Sequence, residues 1–175
     1  MSRIASARRV ARIAVVIVRG LRMMVAFVAL LPLAGAIASL LSLPIGLHVQ
    51  IGVPAEVPVA IGLRVALLAA AYVTLGAIWR VLGLLSGLLA TIRDGSPFVR
   101  ENSDRLTAMA WMLVIMQAAH IAVSVLEAAI LHQVSDERYF LNIPIAGIPA
   151  VILVFVLAWV FRVGSEMRAE LDQVI

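Results

Sequence analysis

Residues 23–43, MMVAFVALLPLAGAIASLLSL, run without a charge for about the length a helix needs to cross a bilayer, roughly 20 residues. Further apolar stretches follow at about 60–80, 108–131 and 144–162. Lipid offers no hydrogen bonds, so each such segment must satisfy its own backbone N–H and C=O groups, which a helix does. With 63% of its residues hydrophobic and 14% charged, the chain exceeds the apolar share of a soluble domain, about 45–50%. The pattern predicts an all-α membrane protein, a four-transmembrane-helix bundle forming a single domain over residues 1–175.

The second apolar stretch, from about Val57 to Ile92, is longer than one crossing. We read 60–80 as the span and VLGLLSGLLATI as its helical extension, because Leu82, Leu85 and Leu89 recur at helical spacing. Residues 81–107 then form a helical connection on the cytoplasmic side. A cleaved signal peptide competes for the N-terminus, since Ala36-Ile37-Ala38 has a small-x-small form. The long basic region and the continuation of the apolar run to Leu43 favour a retained helix. Arg8-Arg9 is a poor twin-arginine signal.

All 14 basic residues are arginines. Six lie in residues 1–22, three are Arg93, Arg100 and Arg105, and two are Arg162 and Arg168. Arg138 falls alone on the opposite side. Basic residues accumulate on the cytoplasmic side of membrane proteins, so both termini are expected there, in a multi-pass protein of the cytoplasmic (inner) membrane. The net charge of +4 reflects this topology; no direct nucleic-acid binding is expected, because no aromatic residues interleave the arginines. On the external side, LHVQIGV (47–53) alternates as a half-buried strand would, and RYFLNI (138–143) could pair with it as a small external β-ribbon.

Within the third span Gln117, His120, Ser124 and Glu127 are spaced three, four and three apart, on one helix face. A carboxylate in lipid is costly, so this face is expected to point into the bundle. Matching depths by counting along antiparallel neighbours puts Arg64 level with Glu127, an ion pair. The same counting sets Thr74 level with Gln117, Tyr72 near His120, and Arg80 level with Trp111. Structurally this is hydrogen-bonded glue between helices; functionally it is a proton or ion pathway through Arg64, His120 and Glu127.

No cysteine is present, which removes disulfides and thiol chemistry. His48 and His132 stand alone, no HExxH or His-carboxylate cluster supports a metal, and GLLSGLL lacks nucleophile-elbow spacing. No nucleophile–base or paired-carboxylate constellation converges, so we expect no catalytic, metal or cofactor residues and no enzymatic activity.

The polar island between spans two and three reads TIRDGSPFVRENSDRLTAMA (91–110). Gly95 suits a helix stop, Ser96 a cap for the next helix and Pro97 its first turn. From Val99 the chain is expected to run helically into span three. The order D-G-S-P-F-V-R-E-N-S-D-R-L (Asp94–Leu106) resembles the G-x-P-F-x-x-x-N-x-x-R-L signature of an uncharacterised bacterial four-helix membrane family, domain-of-unknown-function family 2975. F-R-V-G-S-E-M-R-A-E (Phe161–Glu170) is similar to that family's C-terminal F-R-x-G-x-x-L-R-E-E. The resemblance covers essentially the whole chain. Met167 and Ala169 depart from it, as does the ending Asp172-Gln173-Val174-Ile175.

The resemblance implies no established activity. It does imply context, since members are often encoded beside a small helix-turn-helix regulator. The expectation is a non-enzymatic membrane protein of regulatory character that binds or sequesters such a regulator. Phe98, Asn102, Arg105, Arg162 and Arg168 are the candidate partner-binding residues. The alternatives are a small transporter or channel, and a structural subunit of a membrane complex.

Overall fold

A computed structural model describes residues 2–40, 61–134 and 145–172, with side chains at 13–35, 37, 61–129 and 145–171. It contains α1 (Ser2–Val28), α2 (Leu30–Leu40), α3 (Ile61–Arg93), α4 (Arg100–Val134) and α5 (Gly147–Asp172). Among the described residues there is no strand. The segments expected to form an external ribbon, 47–53 and 138–143, lie outside them.

Among the described residues four stretches are long and apolar enough to cross a membrane: Ile13–Gly35, Ile61–Arg93, Arg100–Ala129 and Gly147–Leu171. The first combines α1 and α2, which are separated only at Ala29. Pro32 explains the break. It has no N–H for the Val28 carbonyl one turn back, and its ring crowds that carbonyl. The Tyr72 hydroxyl donates to the Ala29 carbonyl at 3.2 Å, tying α3 to the joint. Arg19 and Arg22 lie on α1 just before the charge-free run that opens at Met23. Arg22 is accommodated because its guanidinium lies over the Trp79 ring of α3, 4.3 Å from the centroid.

Helix α3 runs unbroken through Arg64 and Arg80. Arginine is a good helix former, so a charge there costs solvation rather than backbone geometry. The helices form a sequential row: α3 lies between α1 and α4, and α4 lies between α3 and α5. Contacts fix an antiparallel register. Arg105 meets Gly87 and Asn102 meets Thr91 across α3 and α4. Trp111 meets Phe155, and Arg162 reaches Ser103, across α4 and α5.

The buried apolar residues are few and often small, including Ala77, Ala110, Ala119 and Ala158. Small residues let helix axes approach where no hydrophobic effect drives them together. Leu88, Leu106 and Ala158 bring α3, α4 and α5 together, with Met109 and Phe161 alongside. Large residues such as Ile152, Leu153 and Val156 face outward, as a lipid-facing helix requires.

Candidate functional site

The residues singled out at 94–106 build one joint. The N–H of Gly95 donates to the Ile92 carbonyl and that of Ser96 to the Thr91 carbonyl, at 3.1 and 3.0 Å. These two bonds define a Schellman stop, which places Gly95 in the left-handed region at φ +84°. The stop is as expected, but the restart is not. Helix α4 begins at Arg100, so Ser96 does not cap it and Pro97 stands outside its first turn. The Ser96 N–H is already engaged in closing α3, and the Pro97 carbonyl accepts from the Asn102 side chain at 2.8 Å.

Asn102 holds both sides of this turn. Its Nδ2 donates to Thr91 Oγ1 at 2.7 Å and to the Pro97 carbonyl, while its Oδ1 accepts from Arg105 Nη1 at 2.7 Å. The Thr91 hydroxyl in turn donates to the Leu88 carbonyl at 2.8 Å. Every polar atom of the amide is therefore satisfied, which is what permits 0% exposure. Arg105 Nη1 also donates to the Gly87 carbonyl at 3.3 Å. Gly87 is open enough for this approach only because it has no side chain: a Cβ there would lie 3.0 Å from Arg105 Nε.

The C-terminal block joins the same end. Phe98 stacks on Phe161 with ring centroids 5.3 Å apart and lies against Gly164. Arg162 Nε reaches the buried Ser103 hydroxyl at 3.5 Å. Two shallow clefts open between the start of α4 and the end of α5. One, of about 420 Å³, is lined by Phe98, Arg100, Glu101, Ser165, Glu166 and Arg168, among others. The other, of about 230 Å³, is lined by Arg100, Asp104, Arg162, Ser165 and Glu166.

The five candidate partner-binding residues thus separate into two groups. Phe98, Arg162 and Arg168 reach the surface at the clefts. Asn102 is buried and Arg105 half-buried, and both are engaged within the joint. Asn102 can shape a docking surface but cannot touch a partner. Gly87, Thr91 and Ser103, which complete the joint, were not singled out from the sequence. A threonine eleven residues before an asparagine carries no local signal.

The intramembrane polar residues do not form the single face expected. Gln117 Oε1 abuts Gly147 of α5. His120 and Glu127 instead line a cleft of about 410 Å³ on the side of α1, α2 and α3, with Thr74, Leu67, Leu75 and Pro32 among its other walls. Ser124 is half-buried. Arg93 pairs with Asp94 at 3.2 Å, whereas no ion pair joins Arg64 to Glu127, and Arg64 is engaged elsewhere. Equal depth does not ensure equal azimuth. Tyr72 turns to Ala29, Thr74 bonds back to the Ala70 carbonyl, and Trp111 meets Phe155 edge-on at 5.7 Å rather than Arg80. Among the described residues, no three His, Cys, Asp or Glu side chains are grouped to hold a metal.

Four apolar spans and a signature concentrated in one joint define a multi-pass membrane protein. The chain belongs to the family described as Protein of unknown function (DUF2975), whose model matches residues 49–175. That stretch holds α3, α4, α5 and both signature blocks, while α1 and α2 precede it. No curated protein and no solved structure matches.

Proposed function

We propose that this is a non-enzymatic regulatory protein of the cytoplasmic (inner) membrane, with both termini and the α3–α4 joint in the cytoplasm. There it binds or sequesters a small helix-turn-helix transcription regulator. The observation that carries the reading is the surface beside the joint. Phe98 is 43% exposed although its ring is anchored on Phe161 and Gly164. Around it lie Arg100, Arg168, Glu101 and Glu166, charges of both signs. A fixed aromatic ring with a charged rim suits recognition of a folded partner, where aromatics and arginine carry much of the binding energy. The test is capture of the adjacent regulator by the detergent-solubilised chain. Phe98→Ala and Arg168→Ala should each weaken capture when assayed well below their melting temperatures, although Phe98→Ala also loses its packing on Phe161; full retention by both would remove this surface from the proposal.

The cleft between α1, α2, α3 and α4 supports a second reading, a small transporter or channel. His120, Glu127 and Thr74 are the polar groups in an otherwise aliphatic lining. This reading predicts a pH-dependent flux in liposomes that Glu127→Gln abolishes. No flux from the wild type would end it.

A further inference from the structure

Helix α3 presents a second face between α1 and α4, which meets the joint at Gly87. Gly76, Arg80, Gly83 and Gly87 recur at i, i+4, i+7 and i+11, so they share one side of the helix. Two guanidiniums converge there from the flanking helices. That of Arg22 in α1 lies over Trp79, with Cζ and Nη1 4.0 Å from where a Gly83 Cβ would be. That of Arg105 in α4 covers Gly87. Gly83 and Gly87 are one turn apart, about 6 Å along the axis. Arg80 is exposed on the same face, and nothing lies within 4 Å of the Cβ position at Gly76.

Neither α1 nor α3 contains a single Asp or Glu. The carboxylates at the start of α4 are not on this side: Asp104 lines the cleft against α5, as does Glu101 against the end of α5. The Nε of Arg22 is buried without a hydrogen-bond partner. Three arginines are therefore gathered on a membrane helix with no carboxylate from the two helices that carry Arg22 and Arg80. Such a cluster favours an anion, and a basic recess between membrane helices attracts the phosphate of an anionic lipid.

We infer that the face of α3 at Gly83 and Gly87, covered by the guanidiniums of Arg22 and Arg105 and flanked by Arg80, binds the phosphate of an anionic phospholipid. The acyl chain runs along α3 past Gly76, where the absent side chain leaves room. Trp79 holds the Arg22 guanidinium in place by cation–π contact, as an indole at a membrane boundary can. Arg105 keeps its bonds to Gly87 and Asn102 through Nη1 and has further N–H donors to offer.

The test is native mass spectrometry of the full chain, released from detergent after incubation with phosphatidylglycerol, phosphatidylcholine or inorganic phosphate alone. Phosphatidylglycerol adducts should dominate, and R22Q should weaken their retention about fivefold. R80Q, whose side chain is exposed, should weaken it in the same direction and serves if R22Q does not fold. R93Q, at the C-terminal end of α3 on another side of the helix from Gly83 and Gly87 and paired with Asp94, should leave it unchanged. Equal retention of phosphatidylcholine, or wild-type retention by R80Q and by any folded R22Q, would overturn the inference. Binding of inorganic phosphate with no preference for the lipid would also overturn it.

Discussion

Phe98 rests on the bare backbone of Gly164, so closely that a Cβ there would lie 2.8 Å from Phe98 Cδ1. The two residues are far apart in sequence and belong to different signature blocks, yet one explains the other. The glycine is the seat of the ring. Gly164→Ala should therefore displace the ring from Phe161 and lower the melting temperature in detergent, by an overpacking cost of about 1–3 kcal/mol. Combining it with Phe98→Leu, which removes the clashing edge, should recover part of the loss. An unchanged melting temperature for Gly164→Ala would show that the ring moves aside freely.

Asn102 is bound to Thr91, Pro97 and Arg105 and has no exposure. Asn102→Ala leaves the Arg105 guanidinium and the Pro97 carbonyl without their buried partner. Leaving a buried polar group unsatisfied costs about 1–3 kcal/mol, and Arg105 retains only the longer bond to the Gly87 carbonyl. The expected result is a large loss of thermal stability, with any loss of partner capture following from it. Wild-type stability with lost capture would mean that Asn102 acts directly at the surface, contrary to its burial.

The two classes of glycine in this chain predict opposite signs. Gly95 sits at φ +84°, where a Cβ costs about 1–2 kcal/mol. Gly20 lies within α1 with nothing within 4 Å of its Cβ position, so alanine there gains helix propensity of about 0.5–1 kcal/mol. Gly95→Ala should lower the melting temperature and Gly20→Ala should hold or raise it. A fall for both would mean that the space beside Gly20 is filled in the membrane.

These contrasts show what the sequence could disclose. The spans were legible because lipid demands long apolar helices, and the Gly95 stop because it needs a conformation that glycine favours. Depth was legible too: counting put Arg80 level with Trp111, and the observed pairs Gly87–Arg105 and Thr91–Asn102 keep nearly that register. Azimuth was not. Whether Trp111 faces α3 or α5, or Gln117 shares a face with Glu127, depends on how each helix is rotated in the row. Helices apolar on nearly every side leave little pattern to fix that rotation. The start of α4 was misplaced for a different reason. Ser96 and Pro97 suit a helix start locally, but the Schellman bonds and the Asn102 side chain claim their backbone groups.

The proposed topology is open to direct labelling, because the natural chain has no cysteine. Asp94 and Glu166 are exposed beside the α3–α4 joint and the end of α5, whereas Ile145 is exposed in the turn before α5. If the arginine-rich side is cytoplasmic, a membrane-impermeant maleimide should label Ile145→Cys in intact cells. It should label Asp94→Cys and Glu166→Cys only after permeabilisation. The two sets lie at opposite ends of the helices, so they must respond oppositely whatever the orientation, and a shared response would contradict the spans themselves. Labelling of Asp94→Cys in intact cells would invert the chain. It would place the Phe98 surface out of reach of a cytoplasmic regulator, and the proposed function would fall with it.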